Sequence, residues 1–594
     1  MDYGTCPNLV RMFFESARAR GDRPFLWAKR EGRYQPHSWS AVADEVRRLA
    51  RAFRAMGLER GDRVCLLSEN RPEWLIADMA IMAAGGITVP AYTTNTTADH
   101  LHILQNSGAK LAVVSRPPLA QRFLPAALQA GALRHVVTIE PLPQRPQSTV
   151  PIATWEETIA RGSQAPDDID ATVAALTRGD TACILYTSGT GGVPKGVMLS
   201  HGAILHNCAG AYDLLLDLGL EDEVFLSFLP LSHSYEHTCG EMFPISIGAQ
   251  IYYAEGVEAL AANMAETHPT IMTAVPRLYE IMRARIERDI SRAGGLKEAL
   301  FRKTVALGRR RYDSGGRLGL LDSLMDWVLD HLVRSKVRAR FGGRLKAFVS
   351  GGAPLNVEVG LFFNALGVRL LQGYGQTESA PVVSCNRPRK VKMHTVGPPV
   401  VGVEVKIAED GEILIRGELV MQGYWGDAQA TAATIVDGWL HTGDIGRFDP
   451  DGYIEITDRK KDIIVNSGGD NIAPQRIEGF LTLEPEIAQA MVHGDRRPHL
   501  VALIVPNKDF AERWAKGRGQ AADLASLVRD SAFMGAIDAA IERVNKGLSP
   551  IERVRRVMLT AEPFTVDNGM MTPTLKIRRH KIRERYGKDL EALY

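Results

Sequence analysis

Ala182-Cys183-Ile184-Leu185-Tyr186-Thr187-Ser188-Gly189-Thr190-Gly191-Gly192-Val193-Pro194-Lys195-Gly196 joins a short apolar run to a turn built of hydroxyl residues, glycines and one lysine. The apolar run predicts a strand. In the turn, small residues let backbone N–H groups approach phosphate oxygens, and a lysine offsets their charge. The stretch reads as a phosphate-binding loop. It is not the Walker loop, because Gly196 follows Lys195 where that pattern requires Ser or Thr, and the glycine spacing differs. The residues upstream indicate what kind of sheet this strand joins. Ser38 and Ser40 precede Val42, Val46, Leu49, Phe53 and Met56, spaced by three or four, with Gly57 where a helix should stop. Then Val64 to Leu67, Pro72 to Ala84, Ile87 to Val89, Leu101 to Leu104 and Leu111 to Val114 alternate strand and helix. That rhythm predicts a mainly parallel sheet covered by helices.

Further along, Pro141 to Asp170 is rich in Pro, Ser, Thr and Gln and lacks a strong period, so it predicts a surface connection. Residues 277–340 turn helical and basic, and Leu321, Leu324, Met325, Val328, Leu329, Leu332 and Val333 form an apolar stripe. The expectation is a helix packed on the main body; a helix lying on a membrane surface is the alternative. Strand patterns at Glu412 to Arg416 and Tyr453 to Ile456, near Gly411 and Gly452, predict a smaller β-rich subdomain. The charged run Asp458-Arg459-Lys460-Lys461-Asp462 introduces a last stretch long enough for an α+β domain of its own. The expected fold class is α/β. Residues 1–458 form a large N-terminal domain of mainly parallel sheets with helices, a helical insert at 277–340 and a β-rich subdomain, and residues 459–594 form a small C-terminal domain.

Composition narrows the function classes. At 594 residues the chain exceeds what one hydrophobic core supports. Hydrophobic residues at 45% and charged residues at 24% argue against disorder. With 71 Lys+Arg against 69 Asp+Glu, the net charge of +2 gives no electrostatic case for a nucleic-acid partner. Six cysteines without CxxC spacing indicate neither a disulfide framework nor a zinc site and fit a reducing compartment. The N-terminus lacks a signal-peptide core and no apolar run reaches spanning length, so the expected location is cytoplasmic, with at most peripheral contact at the inner face of a membrane.

The loop from Tyr186 to Gly196 resembles the signature YTSGTTGxPKG of the adenylate-forming (AMP-binding) enzymes, the group that holds acyl-CoA synthetases, luciferases and peptide-synthetase adenylation domains. Gly191 departs from it, standing where the family has Thr or Ser, so backbone contacts must replace a hydroxyl. The resemblance implies phosphate contacts from Thr187, Ser188, Gly189, Thr190, Gly191, Gly192 and Lys195, with ATP as substrate. Ser350-Gly351-Gly352-Ala353-Pro354 resembles the family's adenine-lining turn, which singles out Gly352. Gln372-Gly373-Tyr374-Gly375-Gln376-Thr377-Glu378 resembles the segment whose aromatic stacks on adenine. By that likeness Tyr374 stacks, Thr377 bonds the α-phosphate, and Glu378 holds Mg2+ together with Thr187; a hard cation on phosphates suits such oxygen ligands. Trp439-Leu440-His441-Thr442-Gly443-Asp444 resembles the W-x-x-T-G-D whose aspartate binds ribose. Arg459 matches a second nucleotide contact, Lys461 the hinge, Lys576 in Thr572-Pro573-Thr574-Leu575-Lys576 the mobile catalytic lysine, and Gly468-Gly469 a turn lining the coenzyme A channel.

The same resemblance implies a mobile C-terminal domain and a two-step reaction. A fatty carboxylate attacks the α-phosphorus of ATP and expels pyrophosphate; coenzyme A then attacks the acyl-adenylate and expels AMP. Phe228-Leu229-Pro230-Leu231-Ser232-His233 and Thr273 to Glu280 resemble the long-chain fatty acyl-CoA synthetase branch, and place His233 beside the carboxylate. Three other readings stay open. His233-Ser234-Tyr235-Glu236-His237 also matches H-x-x-E-H, a zinc-peptidase pattern. The chain could adenylate another acid, or load a separate carrier protein. It could also be an inert binding protein that kept the fold.

Overall fold

The computed structural model describes residues 1–144, 149–187, 193–572 and 576–594. Arg63–Leu67, Ile87–Ala91 and Leu111–Val114 are strands buried almost throughout, as parallel strands sandwiched between helices must be. Pro72–Ala83 and Thr97–Ser107 are the intervening helices; the second starts in a capping box between Thr96 and Asp99. These strands belong to an eight-stranded sheet that also contains Thr181–Thr187, parallel to Ile87–Ala91, and Lys195–Ser200, antiparallel to Thr181–Thr187 and followed at the sheet edge by the short strand Gly423–Tyr424. Thr187 stands opposite Lys195 in this strand pair.

A second eight-stranded sheet carries Val224–Ser227, Ile271–Ala274, Ala347–Ser350 and Leu370–Gly375 in parallel, edged by antiparallel Val382–Cys385. The mainly parallel expectation holds for both sheets. A five-stranded antiparallel sheet over residues 404–459 forms the β-rich part. The small C-terminal domain has a two-stranded hairpin, a three-stranded sheet around Leu500–Pro506, and its own apolar cores. It meets the large domain where Leu483 packs among Phe348, Phe362 and their neighbours, and where Asn356 Nδ2 donates to the Gly479 carbonyl at 3.4 Å.

Two expectations fail. Residues 141–170 are not mere connection: Ile152–Thr154 is an edge strand and Trp155–Gln164 a helix capped by Thr154 and Glu157. Its buried face is Trp155, Thr158 and Gly162, and Gly162 lies so close to the Trp39–Ala55 helix that a Cβ would sit 1.8 Å from the Arg48 carbonyl. With Thr and Gly at two of its three buried positions, that face leaves no apolar period to read. The stripe within 277–340 is helical but splits. Leu329 is buried, whereas Leu321 is 85% and Leu324 62% exposed.

Candidate active site

Strands Ile271–Ala274, Ala347–Ser350 and Leu370–Gly375 all end at one cavity of about 940 Å³, the position where open α/β sheets take ligands. Gly352, Gly373, Tyr374, Thr377, Glu378, Thr187, Lys195, His233, Arg459, Lys461 and Lys576 all line it, although they come from points spread over nearly four hundred residues. At one end the walls are polar. The Tyr374 hydroxyl donates to Asp444 Oδ2 at 2.7 Å, and Arg459 Nε donates to Asp444 Oδ1 at 2.9 Å. The strand pair that sets Asp444 against Arg459 fixes that contact. Glu378 Oε1 accepts from the Tyr424 hydroxyl at 2.9 Å, and Lys195 Nζ lies 5.0 Å from the centre of the same tyrosine ring and 3.5 Å from Asp427. Thr377 Oγ1 meets Ser234 Oγ at 3.2 Å.

The other end is apolar: Ala211, Leu214 and Leu215 from the helix His201–Leu215 face Phe225, Phe243 and Ile271. His233 and Lys576 also line the cavity, close enough for the lysine charge to act on the imidazole. Burial, and then the nearby Lys576 charge, push the His233 imidazole down to about 4, so it is neutral at pH 7. Lys576 is exposed and lines the cavity. Crowding by protein, followed by repulsion from Arg459, lowers its ammonium to about 8, and Asp444, Glu378 and Asp462 hold it from falling further.

Some expected residues stand elsewhere. Ser188, Gly189, Thr190, Gly191 and Gly192 lie outside the described residues, as do Pro573, Thr574 and Leu575. Gln372 is buried behind the cavity wall, its carbonyl accepting from Asn386. Gly468 and Gly469 sit exposed on the turn of the Ile464–Val465 and Asn471–Ile472 hairpin, away from the cavity.

The H-x-x-E-H histidines diverge, which removes the zinc-peptidase geometry. His233 lines the cavity, whereas His237 is fully buried on the other side with Nε2 at 2.9 Å from Asp78 Oδ2. Glu236 accepts from Ser227 and Thr273 at 2.7 and 2.6 Å, and burial raises its carboxyl to about 7. The wide π-helical turn over Glu236–Met242 brings Glu241 near Asp78 and His237, and burial holds Glu241 far above the usual carboxylate range.

Sequence reasoning missed Tyr424, Ser234, Asp427 and Glu412. Glu412 Oε1 accepts from the Gly443 N–H at 2.8 Å and thereby shapes the turn before Asp444. A lone tyrosine in a two-residue strand and a glutamate in an apolar one carry no signal of such roles.

The fold and this cavity agree with what the chain matches. The AMP-binding enzyme family matches residues 13–425, and the AMP-binding enzyme C-terminal domain matches residues 461–594. The chain belongs to the AMP-binding enzymes, the adenylate-forming superfamily. Among its relatives is a long-chain-fatty-acid–CoA ligase of Mycobacterium tuberculosis, 34% identical over 594 residues that cover 100% of this chain and 98% of that one. Long-chain-fatty-acid–CoA ligase 1 of Homo sapiens is 29% identical, over 100% of this chain and 87% of the relative. Among solved structures, the adenylation domain of a carboxylate reductase from Mycobacterium chelonae superposes with a TM-score of 0.78 at 22% identity, covering 99% of this chain and 91% of that one, which is a likeness of fold.

Proposed function

We propose that the protein is a long-chain fatty acid–CoA ligase: ATP and a fatty acid give acyl-AMP and pyrophosphate, and coenzyme A then gives acyl-CoA and AMP. The observation that carries this reading is one cavity lined both by polar residues, Tyr374, Glu378, Arg459 and Lys576, and by an apolar set that includes Phe225 and Phe243; Asp444 stands behind this wall, bonded to Tyr374 and Arg459. Curated ligases of this specificity at 28–34% identity along the chain support the same conclusion.

In the proposed roles, Tyr374 provides the adenine platform and Asp444 accepts the ribose hydroxyls, with Arg459 holding its carboxylate in place. Glu378 and Thr187 are hard oxygen donors at the cavity wall, the set a magnesium ion on ATP phosphates takes, and that ion would supply charge neutralisation as pyrophosphate leaves. The carboxylate oxygen attacks the α-phosphorus and the bond to pyrophosphate breaks. Lys195 and Lys576 stabilise the developing charge electrostatically. Neutral His233 can hydrogen-bond the acid without taking its place as a cation. The thiol of coenzyme A then loses its proton, forms the thioester, and AMP leaves.

With Lys576 in the cavity and the Gly468–Gly469 turn outside it, the arrangement suits the first half-reaction. A swing of residues 459–594 about Lys461 would exchange them for the second. The proposed location is cytoplasmic with peripheral membrane contact, because ATP and coenzyme A are dissolved while a long acid partitions into bilayers. Among the described residues no helix is long and apolar enough to cross a membrane. The test is AMP release across acids of graded length, with coenzyme A as the sole thiol. AMP release that ignored coenzyme A, or that required a carrier protein, would overturn the ligase reading.

A further inference from the structure

Residues 320–340 run as one continuous helical rod, Leu320–Leu329, Asp330–Arg334 and Ser335–Arg340. Its inner side is fixed to the large domain. Leu329 is fully buried, and buried Arg334 donates from Nε to the Ala365 carbonyl at 2.7 Å and from Nη2 to Asp326 Oδ1 at 2.6 Å. Its outer side is apolar in the open: Leu320 is 92%, Leu321 85%, Leu324 62% and Trp327 62% exposed, with Leu332 following at 48%. A buried helix would have these residues covered, and a solvated one would have them charged.

The charges around the rod are predominantly positive. Between 277 and 340 there are sixteen Lys and Arg against eight Asp and Glu. The rod's own acids are taken up by neighbours: Asp322 pairs with Arg310, Asp326 with Arg334, and Asp330 with Arg338. Arg317 and Lys336 stay exposed at the flanks. Leucines with a tryptophan on one face and cations beside them are the composition of a helix that lies in the headgroup plane of a bilayer, the ring at the interface and the cations on anionic lipid.

We propose that this face docks the protein on anionic membranes. The acid's route from the bilayer to the cavity, which rests on the fatty-acid reading, gives the docking its use. A second copy is the poorer occupant, because two such faces would bring like charges together.

The full-length chain is to be sedimented with phosphatidylcholine vesicles, with and without phosphatidylglycerol. Expected are binding to the anionic vesicles that weakens with salt, and about a tenfold or greater loss of that binding in Leu321→Asp/Leu324→Asp. AMP release from a water-soluble medium-chain acid should be unchanged in that variant, which also shows that it folds. Trp327→Phe should remove the blue shift of tryptophan emission that vesicles cause in the parent. Equal vesicle binding by parent and double variant would overturn the proposal. So would a concentration-dependent dimer that the double variant abolishes. A chain that bound anionic vesicles through this face but released no AMP with any fatty acid would sink the ligase reading and leave the docking surface standing.

Discussion

Lys576 is the residue on which the two-step reading turns. Its ammonium, lowered to about 8, is protonated at neutral pH and loses its charge as pH rises through that value. Adenylation measured as kcat/KM should therefore decline above about pH 8, and Lys576→Arg should move that limb upward. Lys576→Ala should cut adenylate formation by about 10²–10³-fold and spare thioester formation from supplied acyl-adenylate. Equal losses in both half-reactions would refute a lysine that acts in one geometry only. At this scale the sequence was legible wherever a motif ran through the position: motifs singled out Tyr374, Asp444 and Arg459, which the structure brings into one bonded group. Their mutual bonds were not legible, because Tyr374 and Asp444 lie 70 residues apart and meet only through the packing of two sheets. Tyr424, whose hydroxyl holds Glu378, has a similarly distant partner.

The elements were legible where their burial was simple. Strands covered on both faces announce themselves as apolar runs, and the alternation from Val64 to Val114 was readable for that reason. The helix Trp155–Gln164 was hidden by the Thr and Gly of its contact face. Glycine also decides the strand Leu370–Gly375: a Cβ on Gly375 would stand 1.6 Å from the Pro381 carbonyl oxygen, which is backbone and cannot turn aside. Gly375→Ala should cost about 1–3 kcal/mol and lower Tm, with weaker nucleotide binding because Tyr374 and Thr377 flank the displaced strand end. An unchanged Tm would mean the strand can give way. For the segment joining the two domains, Lys461→Pro should leave adenylation intact and slow thioester formation severely, since proline fixes φ at the proposed hinge. Normal turnover in that variant would move the hinge elsewhere.

At the scale of the whole molecule, the α/β class, the two domains and the polar end of the cavity were readable in the sequence, and the apolar arm was not. Ala211, Phe225, Phe243 and Ile271 follow no motif and meet only after two helices have packed on one sheet. Each enclosed CH₂ of the acid contributes about 0.8 kcal/mol, so kcat/KM should climb with chain length to a broad maximum among medium- to long-chain acids. Ala211→Phe should shift that maximum to shorter acids while leaving ATP affinity in place. A maximum at acetate, or an unshifted profile in the variant, would remove the acyl chain from this arm.

The short segment from His233 to Met242 has a thermodynamic consequence beyond the site. Folding strips a proton from His233, whose value falls from the usual 6.5 to about 4, and loads protons onto Glu236 and Glu241, whose values rise. Through mildly acidic pH, unfolding of this segment thus releases two protons and takes up one. The histidine contribution strengthens the folded state as pH climbs toward 6.5, and the two glutamates weaken it as pH climbs above 4.5. Glu241→Gln removes one of the opposing titrations without changing its shape. The Tm advantage of that variant over the parent should widen from about pH 5 to about pH 8, and a gap that stayed constant would show that Glu241 does not exchange its proton on unfolding. Proton release measured calorimetrically in buffers of different ionisation enthalpy should fall by one in the same variant, so the helix beside the substrate also sets how tightly the folding of this enzyme is coupled to the acidity of its surroundings.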